Sequence, residues 1–519
     1  MVDNMKIWYI DESLVSGGKR LLSTICNIVD TTWKIEVFDL GYTYNIVHVS
    51  PILEIRIRKI SKEEQLDILK FLKKYEDKSR RKVILELLEK YQSISFRKLG
   101  WNTSWSDEPL RTIIKIYSNY LKKFGIDKQY AEIAAKYITL LIYGGFYVPL
   151  LGVPGITDIF MRLGTYISVE SSHDLIGRAL TTWKLDDYLL EKILDNIVYR
   201  TGISATMYQP TISVTDPEFN IRISAVIGDV SNYRPFITIR VLPREPWLPT
   251  RTIASGTADP ETIATLGWTL VCKVPVIVFG ETGAGKTTLL MALAQYVPPT
   301  SRVALIQDIK EIRLAGEAYR STIIDLIVRY AYASGIREIT WEDCFRQALR
   351  VTPDYILVPE VRGREARWLL EAFMTGHGGG STIHAESGES VIERLRLVLR
   401  EIGIDLRNIA FPILLARVAK TIEVKHGIAV PVRKLIGCWI LQRGELIEVM
   451  RNGRLDLETL EDVVLRYICK LTLRPPEHYR KLRDRLVEVT LRAVELEKQG
   501  ETIDEFKWIK LISEAYAAI

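Results

Sequence analysis

The chain has 519 residues, 47% hydrophobic and 26% charged, with no low-complexity tract and no internal repeat. That length exceeds one ordinary core and predicts about three or four domains, while the composition excludes disordered, collagenous and multi-span membrane classes. A formal net charge of +6, from 70 basic and 64 acidic side chains, is too small an excess to imply a nucleic-acid groove by itself.

Five cysteines (Cys26, Cys272, Cys344, Cys438 and Cys469) are scattered without a Cys-x-x-Cys pair, so a reduced compartment and no structural zinc are expected. Lys19-Arg20 before the run from Leu21 to Val29 mimics a signal peptide. Ser23, Thr24 and Asn27 interrupt it, and the segment reads as a strand. A β-like run follows at Trp33 to Val37, then a charged helical stretch from Ser61 to about Tyr91. The basic cluster Lys78, Arg80, Arg81 and Lys82 is a solvated helix face or an acidic-lipid contact. The uncharged stretch from Tyr137 to Ile156 is long enough to span a bilayer. Its glycines and prolines at 144, 145, 149, 152, 154 and 155 predict a buried helix end, a turn and a strand instead.

Residues 1–105 thus form an accessory N-terminal region and residues 106–250 a compact α+β domain, with helical patterns at Glu108 to Phe124 and Leu185 to Thr201. Asp259-Pro260 is a helix cap with proline at the first helical position, and the helix runs to about Lys273. From there, strands at Val274 to Phe279, Val303 to Gln307, Tyr355 to Val358 and Ser381 to Ile383 alternate with helices that include Trp341 to Arg350 and Arg364 to Thr375. This alternation predicts a parallel, helix-covered sheet over residues 251–455. Residues 456–519 read as a helical C-terminal segment, most clearly from Tyr479 to Lys498.

Gly280-Glu281-Thr282-Gly283-Ala284-Gly285-Lys286-Thr287 matches G-x-x-x-x-G-K-[ST] in full, between an apolar strand and a helical segment that opens with Thr287-Thr288. Glycines let the backbone N–H groups turn inward as an anion nest, and the helix N-terminus adds its partial charge. In such a loop Lys286 contacts the β- and γ-phosphates of a nucleotide and the Thr287 hydroxyl holds Mg²⁺.

Hydrolysis needs carboxylates as well, and three follow predicted core strands: Glu360 after Tyr355 to Val358, and Asp308 and Glu311 after Val303 to Gln307. Strand C-termini are where parallel sheets place ligands. Two of the six histidines, His377 and His384, flank a glycine run. Metal binding is one reading; a neutral imidazole reporting on the γ-phosphate is the other.

Taken in order, these motifs resemble the type II/type IV secretion ATPase superfamily. Its phosphate loop is matched at Gly280 to Thr287, its acidic box at Ile306 to Glu311, its Walker B segment at Pro353 to Gly363, and its histidine box at Thr375 to Ala385. Asn220 to Ser224 and Phe236 to Arg240 look like its N-terminal arginine segments, and Ile156 to Phe160 is similar to a segment of the same domain. Three departures stand out. Gln307 replaces a usual Glu, Pro359 a usual Gly, and the four-cysteine zinc element of many bacterial members is absent, which points to an archaeal or archaellum-like branch.

The resemblance implies a RecA-like P-loop domain and a cytoplasmic homohexamer on the membrane surface. It also implies ATP and Mg²⁺ as cofactors and a polytopic membrane platform protein as partner, with no stable nucleic acid. Lys286, Glu360, Glu311, Arg222, Arg240 and His384 become the catalytic candidates, residues Gly280 to Thr288 the nucleotide cradle, and Thr287, Asp308 and Glu360 the Mg²⁺ candidates. A conjugation-type DNA motor is the rival reading, and a nucleotide-gated scaffold without hydrolysis a third.

Overall fold

The computed structural model describes residues 147–519 apart from 173–175, 217–218, 331–336, 364, 401–402, 426–427 and 452. Before residue 147 it describes the backbone of four strands within the first 51 residues and isolated helical positions from 115 to 135. The expected helix at 61–91 and its basic cluster lie outside the described residues, as does most of 108–124. The chain falls into two compact units and crosses from one to the other between Leu242 and Pro243.

The first unit is built on one sheet. Its strands are β1 (Tyr9–Ile10), β2 (Lys19–Ile28), β3 (Thr31–Asp39), β4 (Asn45–Pro51), β5 (Ile156–Arg162), β6 (Tyr166–Ser171), β7 (Arg178–Lys184), β8 (Thr211–Asp216), β9 (Ile221–Val226) and β10 (Phe236–Val241). They run in the order β2-β3-β4-β7-β6-β5-β10-β9-β8, with β1 on β7. The strands of the first 51 residues therefore join the same sheet as those after residue 155, because β4 pairs in parallel with β7. Alternation sends Ile159, Met161, Ile223 and Ile239 to the buried face. Leu189, Ile193 and Ile197 of α1 (Asp187–Thr201) cover them, and the Asp186 carboxylate caps that helix by accepting from the Leu189 N–H at 2.8 Å. The stretch read as turn and strand is a buried 3₁₀ turn, Val148–Gly152, leading into β5. Among the described residues no helix is long and apolar enough to cross a membrane.

The second unit carries β11 (Val276–Gly280), β12 (Val303–Gln307), β13 (Ile323–Ile327), β14 (Tyr355–Val358), β15 (Gly378–His384), β16 (Ile413–Lys425), β17 (Ile428–Gln442) and β18 (Glu445–Glu448). Their order is β13-β12-β14-β15-β11-β16-β17-β18. The first six are mutually parallel, and β17 and β18 add an antiparallel edge. The parallel strands read as continuous apolar runs because both faces are covered. Val276, Val278, Leu305 and Leu357 face one helical layer, formed by α3 (Pro260–Val271), α4 (Lys286–Ala294) and the C-terminal helices α8 (Leu457–Thr472), α9 (Pro476–Lys498) and α10 (Glu505–Ala517). Ile277, Phe279, Ile306 and Ile356 face the other, formed by α5 (Trp341–Arg350), α6 (Glu365–Met374) and α7 (Gly388–Arg400). Here α2 (Pro249–Ala254) opens the unit. This three-layer arrangement, with β15 inserted between the phosphate-loop strand β11 and the strand β14, is a RecA-like P-loop domain.

The glycine run before Ser381 belongs to β15 itself. A Cβ at Gly379 would lie 1.9 Å from the Ile356 carbonyl oxygen, and one at Gly380 would lie 2.4 Å from that of Val276. Only a strand without side chains fits between β14 and β11 at this point. The C-terminal helices also fix the phosphate-loop helix. The Trp508 indole N–H donates to the Gln295 carbonyl at 3.0 Å and the Tyr516 hydroxyl to the Tyr296 carbonyl at 2.7 Å, satisfying acceptors at the end of α4.

Candidate functional site

β11 ends on Gly280, and the loop that follows turns through glycines at φ 148° (Gly280), 76° (Gly283) and 92° (Gly285) before α4 begins at Lys286. The first of these has a second constraint, because a Cβ there would meet the Val418 carbonyl oxygen at 2.1 Å. Glu281, Thr282 and Gly283 are exposed, Ala284 is buried, and Thr287 and Thr288 lie half-buried on the first turn of the helix.

Lys286 is 7% exposed. Its ammonium donates to the Glu281 carbonyl at 2.9 Å and to His384 Nδ1 at 3.2 Å. Both acceptors are neutral. Burial lowers its pKa, the nearby Glu360 and Glu311 oppose that, and Arg362 adds to it. A buried cation held only by neutral atoms is suited to an incoming anion.

His384 ends β15 and Glu360 follows β14, so the parallel pairing of these strands carries both side chains to the C-terminal edge of the sheet. His384 Nε2 lies 3.2 Å from Glu360 Oε1, and Arg362 donates to Glu360 Oε2 at 2.7 Å. The result is a continuous chain, Lys286–His384–Glu360–Arg362. Burial works against ionisation of Glu360, but the Arg362 hydrogen bond and the charges of Arg362 and Lys286, joined by His384 once it is protonated, outweigh it and hold the carboxyl below its usual range. Burial and Lys286 lower the His384 pKa, and Glu360 only partly compensates. Pro359 ties the strand exit down as an acceptor, since its carbonyl takes the Thr382 hydroxyl at 2.7 Å.

Asp308 and Glu311 follow β12, and both act electrostatically on Arg362. The turn that carries them is organised by Gln307, whose side chain is fully buried. Its Oε1 accepts from the Glu311 and Ile312 N–H groups at 3.0 and 2.8 Å, and its Nε2 donates to the Ile312 carbonyl and to Asp325 Oδ1 at 3.2 Å. Two of these four bonds need a donor, which a glutamate lacks. Gln307 is thus a built part of the acidic turn rather than simply a missing acid. Lys310 points elsewhere, paired with Asp325 at 2.6 Å and with Glu317.

The two histidines of the glycine-flanked segment sit at opposite ends of β15. His377 Nδ1 lies 3.0 Å from the Ala372 carbonyl and 2.9 Å from the Thr375 hydroxyl, at the end of α6. The shared-metal reading of the pair therefore has no geometric support. Among the described residues no group of three or more His, Cys, Asp or Glu side chains is arranged to hold a metal.

Arg222 and Arg240 belong to the first unit, on the face of its sheet opposite α1. They pair directly across β9 and β10, in a row that runs Thr215, Arg222, Arg240, Asp158. Arg222 donates to Ser213 Oγ and Arg240 to Asp158 Oδ1, each at 2.9 Å. Two guanidinium groups at facing positions repel unless anions answer them, and the row supplies one carboxylate.

Sequence reasoning quoted Arg362 within a motif but gave it no role; its place two residues after Glu360 was the available signal. Nothing in the sequence marked the edge strand β13 or the long hairpin of β16 and β17, on which Arg433 donates through Nε to the Gly283 carbonyl at 3.1 Å.

The geometry agrees with what this chain is similar to. A family model described as type II/IV secretion system protein matches residues 211–422. A putative conjugal transfer protein of Mycobacterium tuberculosis is 30% identical over 273 residues, 51% of this chain and 76% of its own length. An uncharacterised protein of Methanocaldococcus jannaschii is 43% identical over 148 residues, 28% of this chain and about half, 53%, of its own length. The solved ATPase DotB of Legionella pneumophila aligns over 70% of this chain and 92% of its own at 17% identity and a TM-score of 0.38, too distant a superposition to add to the assignment. On the family match and the mycobacterial relative together, the chain belongs to the type II/IV secretion system ATPase family.

Proposed function

We propose that this protein is a ring-forming motor that hydrolyses ATP to power assembly of a pilus-like filament or type II-like secretion at the cytoplasmic membrane. The observation that carries the reading is the chain from Lys286 through His384 and Glu360 to Arg362 at the mouth of a complete phosphate loop. The nest amides and Lys286 bind the β- and γ-phosphates. Glu360, kept ionised by its neighbours, orients a water molecule for in-line attack on the γ-phosphorus. A new P–O bond forms to that water as its proton passes to Glu360, the bond to the β-phosphate oxygen breaks, and ADP and inorganic phosphate leave. The family resemblance makes Arg222 and Arg240 the candidates for the arginine-finger charge that would stabilise the transferring group.

Mg²⁺, when bound, would neutralise part of the phosphate charge, and the residues present fit it. Thr287 on the first turn of α4, with Asp308 and Glu360 at the strand ends, would hold it through the oxygen donors this ion takes. Glu360 acts electrostatically on Lys286 and Asp308 on Arg362, which supports this assignment.

The test is phosphate release by purified protein, with and without membranes that contain a multi-span platform protein. Turnover stimulated by such membranes supports the motor reading, and absence of any turnover with intact fold would leave a nucleotide-gated scaffold. One observation favours a second reading, a DNA-handling motor: the mycobacterial relative is described as a conjugal transfer protein. Salt-dependent DNA binding in a titration would support it over the first.

A further inference from the structure

The phosphate loop has an outer wall that lies partly beyond the residues matched by the family model. It is the hairpin of β16 and β17, whose register shifts between Arg417 and Val418. The shift leaves Ile436 of β17 unpaired, while the parallel register of β11 and β16, with Phe279 opposite Arg417, brings the Val418 carbonyl against Gly280. Arg433, opposite Lys420 on β17, then reaches across the loop. Its Nε donates to the Gly283 carbonyl at 3.1 Å, and its Cδ lies 3.1 Å from where a Cβ on Gly285 would be.

In an anion nest the N–H groups turn inward and the carbonyls turn out. A donor that holds an outward carbonyl therefore fixes the tilt of that peptide and of the amide after it. Gly283 and Gly285 both occupy the left-handed region and carry no side chain to hold them in place. Without a brace, ordering this apex is a cost charged against ligand affinity. We propose that Arg433 is a positioning residue of the nucleotide site, which holds the apex of the phosphate loop in its anion-accepting curvature from outside the nest. The inference rests on the nucleotide site proposed above and extends it to a strand that no motif marks.

The test uses the full chain and Mg-ADP, titrated calorimetrically into wild type, Lys286→Ala, Arg433→Ala and Arg433→Lys. Loss of one charge-assisted hydrogen bond that orders the loop should weaken Mg-ADP binding about tenfold in Arg433→Ala, with the thermal midpoint of the nucleotide-free protein unchanged. Arg433→Lys, whose ammonium can also donate to the Gly283 carbonyl, should stay within about threefold of wild type. Wild-type affinity in Arg433→Ala would overturn the proposal, and so would a fall in nucleotide-free stability matching the fall in affinity. Failure of the wild type to bind Mg-ADP would overturn the nucleotide site as well, which separates the two cases.

Discussion

Lys286 Nζ stands 3.2 Å from His384 Nδ1, and that contact fixes the protonation of the imidazole. An ammonium only donates, so Nδ1 accepts. The ring proton then sits on Nε2 and points at Glu360 Oε1, 3.2 Å away. A neutral histidine in this tautomer links the cation at the phosphates to the carboxylate that handles water, and it senses both.

Replacing Glu360 by Gln keeps the shape and removes the charge. Turnover should fall by roughly a hundredfold or more, the usual effect of losing a positioned base. Affinity for ADP without Mg²⁺ should change little, since Lys286 and the nest are untouched. Steady-state phosphate release set beside titration of metal-free ADP checks the split.

The same histidine gives a pH dependence. Its folded pKa lies below the 6.5 of a free side chain, so the unfolded chain takes up the proton first as pH falls. The contribution of the neutral ring is therefore complete above the unfolded value and is lost as pH drops through the folded one. Phosphate release should show an acidic limb with an apparent pKa below that of free histidine. His384→Gln, which can accept from Lys286 and donate to Glu360 without titrating, should lose that limb.

Gln307→Glu introduces the acid usual in the family at a fully buried position. It removes the donors to the Ile312 carbonyl and Asp325 and sets a second carboxylate beside Asp325. A loss of about 3 kcal/mol is expected from the unsatisfied acceptors and the unpaired charge. Denaturant unfolding would measure it, and phosphate release should fall rather than rise.

Gly379→Ala forces a Cβ to within 1.9 Å of the Ile356 carbonyl oxygen at φ 138°. Failure to fold, or a loss of about 3 kcal/mol or more, should follow. Gly403→Ala, at φ 73° with open space around it, is the control and should cost about 1 kcal/mol. Thermal unfolding of both variants separates packing between strands from backbone strain alone.

The core of the second unit was legible because its signals are local. The strands at Val303–Gln307 and Tyr355–Val358 and the helix Trp341–Arg350 have the bounds their apolar runs and caps predict. The Asp259 cap, for instance, with Pro260 at the first helical position, is written in two residues. The phosphate loop was equally plain. What failed to show were elements whose meaning is set by distant partners. The glycines of β15 fall outside the strand read from Ser381 because the close approach of β14 and β11 is not encoded nearby. Arg433 looks like any strand arginine until a hairpin folds it onto Gly283, 150 residues earlier. Gln307 looked like a missing acid because its four hydrogen bonds are a property of the folded turn.

The account turns on Lys286 as the buried cation that receives a triphosphate. Calorimetric titration of a non-hydrolysable Mg-ATP analogue into wild type and Lys286→Ala tests this most directly. The expected result is saturable binding to the wild type, weakened about a hundredfold or more in the variant as a charged, partly desolvated contact is lost, with the thermal midpoint retained. Equal affinity in the two proteins would contradict it.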